Sequence, residues 1–214
     1  MATYNKKDFL RHADSVIPPD FKRQGNEAYY TKRETDRELR FYFGEDVYYP
    51  HSVTIDGLSV NVSIDIVENV LDEVFEQYPI AGYGSGKNGD TIGGGGYNIP
   101  GVDYQSLGRH NVEDDASFAI IKPQLELIVQ GGLQFFEDYK SLQAIHDHVA
   151  TLPIRKMGTF LRQPMPARRM IVKKLIDAPD YQDYAQYVVD YNLAKEEPSP
   201  GIFFKALKDK LDGM

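Results

Sequence analysis

Roughly a third of the way along the chain the spacing of its apolar residues changes. Leu58, Val60, Val62, Ile64 and Ile66 alternate with their neighbours, the period of an extended strand. Val67, Val70, Leu71, Val74, Phe75 and Tyr78 then fall on one stripe at the helical period, and Pro79 closes it. A chain that makes this switch and stays helical afterwards gathers its strands on one side of the switch and most of its helices on the other. That order predicts the α+β class rather than alternating βαβ units.

The surrounding segments fit the same scheme. Asn5 is placed to cap a helix to about Val16, carrying Phe9, Leu10, Ala13 and Val16 on one face, and Pro18-Pro19 stops it. Glu27–Thr31 and Leu39–Phe43 read as strands, Val53 and Ile55 begin a third, and Asp56-Gly57 reads as a hairpin turn. Together they predict an antiparallel meander with one polar face. Ala81 to Gly101 is glycine-rich and reads as a long mobile loop. A strand is expected within Asn111–Ile121. Helices are expected from Pro123 to Val129, stopped by Gly131-Gly132, from Leu142 to Ala150 behind a Ser141 cap, and over Ala167–Ala178, Tyr181–Ala194 and Ile202–Leu211. The expected organisation is one compact domain over residues 1–214, β-rich to about 80, a loop over 81–101 and mostly helical from 111. The alternative is a break between lobes near Gly131 or Pro153.

Composition narrows the function classes. The 214 residues carry 24 Lys plus Arg against 32 Asp plus Glu, a net charge of −8. This argues against whole-surface attraction to nucleic acid or anionic lipid. No apolar run approaches the length of about 18 residues that spans a bilayer. The opening residues, Met1 to Asp8, lack the apolar core of a signal peptide, so a cytoplasmic location is expected. With no cysteine there is no disulfide, thiol nucleophile or thiolate metal site.

Each candidate for chemistry has a plainer reading beside it. Gly84-Ser85-Gly86-Lys87-Asn88-Gly89 matches G-x-G-x-x-G, but a helix precedes it and Gly93–Gly96 follow, so it lacks the strand-to-helix setting of a dinucleotide site. It reads as a surface loop, or as one that orders on a partner. Among the histidines His12, His51, His110, His146 and His148, only the last two are close. Two residues apart on a helix, they point away from each other and cannot chelate one ion. No nucleophile elbow is present. No cofactor, metal site or catalytic residue is expected.

The charge layout says more. Between Phe41 and Gly86 lie eight acids and no Lys or Arg, and Glu68, Asp72 and Glu76 repeat at i,i+4. Such a row is a solvated face, a match for the chain's own bases, or an attraction for a basic partner. Asp65, Glu68, Asp72 and Glu76 are therefore the candidate partner-binding residues. From Ile154 to Lys174 the pattern inverts, with seven bases and no acid. Arg155, Lys156, Arg168 and Arg169 are candidate phosphate contacts, although Phe160 is the segment's only aromatic and base stacking is poorly served. A match to the acidic helix, or a solvated face, is the first reading of this stretch.

Phe21-Lys22-Arg23-Gln24-Gly25-Asn26 followed by Tyr29-Tyr30, then Leu133-Gln134-Phe135-Phe136 and Ser141-Leu142, resemble the pattern of an uncharacterised bacterial domain family with members among toxin-immunity proteins. The resemblance implies an α+β binding protein and offers no catalytic residues to transfer. The leading expectation is a non-enzymatic, immunity-type or defence-associated protein whose acidic helix masks a basic protein partner. Behind it stand a nucleic-acid- or nucleotide-handling protein using the basic stretch, an enzyme using His110, His146 or His148, and an assembly component contacting others through its tyrosines.

Overall fold

The computed structural model describes residues 4–49, 52–80, 89–95 and 110–214. Helix α1 (Lys6–Asp14) is followed by strands β1 (Lys22–Arg23), β2 (Tyr29–Arg33), β3 (Arg37–Tyr49) and β4 (Ser52–Ile64), then helix α2 (Asp65–Gln77). Next come β5 (Ile92–Gly95), β6 (Asn111–Val112) and six helices: α3 (Asp115–Asp138), α4 (Leu142–Thr151), α5 (Ile154–Phe160), α6 (Met165–Leu175), α7 (Tyr181–Leu193) and α8 (Pro198–Asp212). The sheet runs in the order β1-β2-β3-β4-β5, with β6 paired to β4. The class is α+β, with an antiparallel sheet and a mostly helical second half, as the change of period predicts.

Helix α5 lies where the sequence reading expects none, and in three further segments tertiary pairing overrides a local signal. Asp56-Gly57 is not a turn but lies inside the 13-residue β4. That strand pairs with β6 (Val53 opposite Val112, Thr54 opposite Asn111), which holds it extended through the pair. Second, Gly131-Gly132 does not stop a helix, and Pro123 does not start one. Both lie within the 24-residue α3, and only Asn111–Val112 of the stretch before it is strand. Gly132 is needed for close approach: a Cβ there would lie 2.5 Å from Cε1 of Phe41 and 3.0 Å from Cγ2 of Val60. Third, the expected glycine-rich loop contains β5. Thr91 and Ile92 are completely buried, and a Cβ on Gly94 would lie 2.8 Å from the Phe135 ring. Residues 81–88, including Gly84–Asn88 of the G-x-G-x-x-G match, and 96–101 fall outside the described residues.

Contacts group the chain into two compact units, residues 1–61 with 94–138, and residues 62–93 with 139–214. The sequence favours one compact domain, and the positions of its alternative break, Gly131 and Pro153, lie inside α3 and just before α5. In the first unit, Asn5 caps α1 by accepting from the Lys7 amide while Asp8 accepts from the Asn5 amide. The core there is aromatic. Phe41 meets Phe21 and Phe136 at ring separations of 4.9 and 5.2 Å, and Phe9 meets Phe43 edge-on at 6.3 Å. Gly25, in the turn between β1 and β2, has φ +60, a conformation L-residues enter at a cost of about 1–2 kcal/mol, so the turn selects glycine.

In the second unit, α2 buries Val67, Val70, Leu71, Val74 and Phe75, the stripe read from the sequence, and the Phe75 ring lies tilted 4.7 Å from that of Phe203 of α8. The α2 cap residue, Ile64, offers no side-chain acceptor. Its own amide is instead held by the Thr91 hydroxyl at 2.9 Å.

Candidate functional site

The acidic and basic stretches meet inside the second unit. Glu68 of α2 is only 4% exposed and Arg168 of α6 only 3%. The guanidinium holds the carboxylate with two bonds, Nε to Oε1 at 2.9 Å and NH2 to Oε2 at 2.6 Å. Thr91 Oγ1 donates a third bond to Oε1 at 2.7 Å, and Arg168 NH1 reaches the carbonyls of Arg162 and Gln163. Both charges thus leave water as a forked, hydrogen-bonded pair, the arrangement in which a buried ion pair is tolerated.

This corrects two sequence assignments. Glu68 is not available to a partner, and Arg168 is not available to a phosphate. The i,i+4 acids do not form one solvated row. Glu68 is buried, Asp65 and Asp72 are half-buried, and only Glu76 is exposed. The neighbouring Glu73 pairs with Lys210 of α8. Of the basic candidates, Arg155 and Lys156 are exposed on α5, and Arg169 is half-buried in a cleft that the sequence reading did not foresee.

That cleft lies wholly within the second unit and has a volume of ≈ 440 Å³. Helix α7 supplies one side, with Tyr184, Tyr187, Val188 and Tyr191 at i, i+3, i+4 and i+7 on a single face. The start of α6 supplies Pro164, Met165, Pro166 and Arg169; Met157, Gln163, Pro200 and Phe204 contribute from neighbouring elements. Tyr187 and Tyr191 are 63% and 57% exposed and stack on each other at 6.1 Å. Burial raises the Tyr184 hydroxyl above the usual tyrosine value, with nearby Arg169 acting the other way.

Two cations flank this aromatic face. The Arg169 guanidinium lies 4.7 Å from the Tyr184 ring centre, and Lys195 Nζ lies 4.6 Å from that of Tyr191. Among the described residues neither forms an ion pair. Arg169 has a thioether contact, NH1 to Met157 Sδ at 3.5 Å, and its buried Nε has no hydrogen-bond partner. Lys195 donates to the Asn192 side chain at 2.9 Å. No Asp or Glu lines the cleft. In a chain with eight excess negative charges, this concave surface is locally positive and apolar, the character of a site for an anion with a flat or apolar body.

The first unit holds a second constellation that the sequence reading missed. His12, buried on α1, lies between Tyr4 Oη (2.9 Å from Nδ1) and Asp115 Oδ1 (2.9 Å from Nε2), with Phe118 stacked 4.1 Å from its ring. Arg11 also donates to Asp115 at 2.7 Å and, with His12, holds that carboxyl below the usual aspartate value. The group ties α1 to the start of α3. His146 and His148 lie on α4 as expected; His148 sits edge-on to Phe160 at 4.6 Å, and burial lowers its pKa. No group of three metal-ligating side chains occurs among the described residues.

The tyrosine spacing in residues 184–191 was the available signal for the cleft. What the sequence does not show is that prolines and a cation from α6 face it. Compared with known protein families, curated proteins and solved structures, the chain matches none. No helix among the described residues is long and apolar enough to cross a membrane.

Proposed function

We propose that this chain is a non-enzymatic binding protein, cytoplasmic and of the immunity or defence type its opening residues resemble, and that it engages its partner through the aromatic cleft of the second unit. One observation carries the reading: Arg169 and Lys195 each lie over a tyrosine ring in a cleft without carboxylates, and neither has an ion-pair partner. A protein surface ordinarily neutralises its cations with nearby acids, and 32 acids are present to do so. Leaving two cations unpaired beside exposed tyrosines suits an incoming anionic group. The binding role expected from the sequence is kept, but the site moves from the acidic helix to the cleft and the sign of the bound surface reverses.

Differential capture from the native host tests this. The wild-type chain, a Tyr187→Ser/Tyr191→Ser variant and an Asp65→Asn/Glu76→Gln variant are used as baits. The expected result is a partner retained by wild type and by the acid variant and lost by the tyrosine variant. Loss with the acid variant alone would return the site to α2 and overturn the cleft.

The cleft also gives substance to a second reading, that of a nucleotide-handling protein. The basic stretch contributes Arg169 to a surface where Tyr187 and Tyr191 offer the aromatic faces it lacks on its own. Equilibrium dialysis of the wild-type chain and the Tyr187→Ser/Tyr191→Ser variant against radiolabelled ADP and a short oligothymidylate separates this reading from protein binding.

A further inference from the structure

Tyr184 and Tyr191 stand seven residues apart on the same face of α7, a separation of about 10 Å at 1.5 Å per residue. Each carries its own cation, Arg169 over the first and Lys195 over the second. The positive charge of the cleft is therefore split between two stations, with the exposed Tyr187 between them. The nearest acids in sequence, Asp183, Asp190, Glu196 and Glu197, do not line the cleft.

A ligand complementary to two such stations, set two turns apart on one helix face, carries two separated negative charges joined by a narrow apolar body. A nucleotide concentrates its charge at one end of its base and sugar, and so meets one station at a time. An extended peptide distributes it. In the polyproline II conformation, with three residues per turn and 3.1 Å per residue, side chains at i and i+3 project from the same side about 9 Å apart. Grooves lined by aromatic rings are the usual receptors for such segments, because the conformation is preformed and little ordering entropy is lost. From this geometry we infer that the cleft binds an extended, proline-containing acidic segment of a partner protein, with carboxylates three residues apart meeting Arg169 and Lys195 and a proline between them lying on Tyr187. This inference rests on the cleft reading above and names its ligand class.

The chain contains no tryptophan, so a tryptophan-tagged peptide can be excited selectively in its presence. The test uses the full chain with the peptides W-E-P-P-E-P, W-Q-P-P-Q-P and W-E-E-P-P-P, and with ADP and a short oligothymidylate as competitors. The expected result is that W-E-P-P-E-P binds at least about tenfold more tightly than either other peptide and weakens with added salt. Lys195→Glu and Tyr191→Ser should each reduce its binding by a similar factor, with unchanged thermal unfolding, since both side chains are exposed. Equal binding of the three peptides would overturn the inference. Tighter binding of ADP or the oligothymidylate, lost in the Tyr191→Ser variant, would also overturn it while leaving the cleft a binding site. If no probe binds, the inference falls, while the cleft reading stands or falls on whether the captured partner is lost with the Tyr187→Ser/Tyr191→Ser variant.

Discussion

At Arg168 the surroundings, not the residue type, decide the role. An arginine in a basic run reads as a surface cation, yet this one lies inside the second unit against Glu68. Removing one partner of a buried pair leaves the other charge without water or counterion. Arg168→Met should therefore cost about 3–5 kcal/mol of unfolding free energy. The double change Glu68→Leu/Arg168→Met should recover most of that loss, as a urea-unfolding cycle will show, and additive losses would contradict the pairing. Arg155→Ala, on the exposed surface of α5, should change stability by less than about 0.5 kcal/mol. Acid titration gives a second check at this scale. Asp115 is held low by Arg11 and then His12, and Asp180 is held low chiefly by its hydrogen bond from Lys173. A lowered folded-state value means that the stability each contributes is complete above the ordinary aspartate value of about 3.9 and is lost as pH falls through the lowered one. Carboxyl NMR should place both midpoints below that value. Arg11→Gln should raise the Asp115 midpoint and leave Asp180 unmoved.

At the scale of elements, period was legible and partnership was not. The apolar stripe of α2 is buried as its spacing required, because spacing alone determines which residues share a face. Spacing does not say what lies opposite. The stripe's margin includes Glu68, a charge made tolerable to bury by Arg168, a hundred residues later, with Thr91 donating a further bond. The cleft escaped notice for the same reason: its tyrosines are local to α7, whereas its prolines and Arg169 come from α6. Glycine misled in the other direction. Gly131-Gly132 carries a local stop signal, but α3 runs through it because Gly132 lets the helix lie directly against Phe41 and Val60. Gly132→Ala should thus overpack the first unit and cost about 1–3 kcal/mol. Gly93→Ala is the contrasting case. The three atoms nearest its added Cβ all belong to the guanidinium of Arg162, the far end of a flexible side chain able to swing aside. Thermal unfolding of the two variants should show a clear drop for the first and little change for the second; equal drops would refute the distinction.

At the scale of the whole molecule, the chain crosses between its two units three times, after Asn61, Gly93 and Asp138. No single cut therefore separates one unit from the other. The last 76 residues, 139–214, hold α4 to α8 but lack α2, whose Val67, Leu71 and Phe75 complete the core of that unit and whose Glu68 answers Arg168. Alone, this fragment would leave a buried cation uncompensated and an apolar face uncovered, a combination that opposes a unique packed state. The expected behaviour is helical far-UV dichroism with poorly dispersed amide resonances. Adding a peptide of residues 62–93 in trans should restore dispersion and a cooperative thermal transition by supplying both the apolar stripe and the missing carboxylate. The same peptide carrying Glu68→Lys should fail, because it brings a second cation to the buried site in place of the anion. A fragment that folds cooperatively without the peptide, or that accepts the lysine peptide equally well, would show that α2 is not an integral part of the second unit.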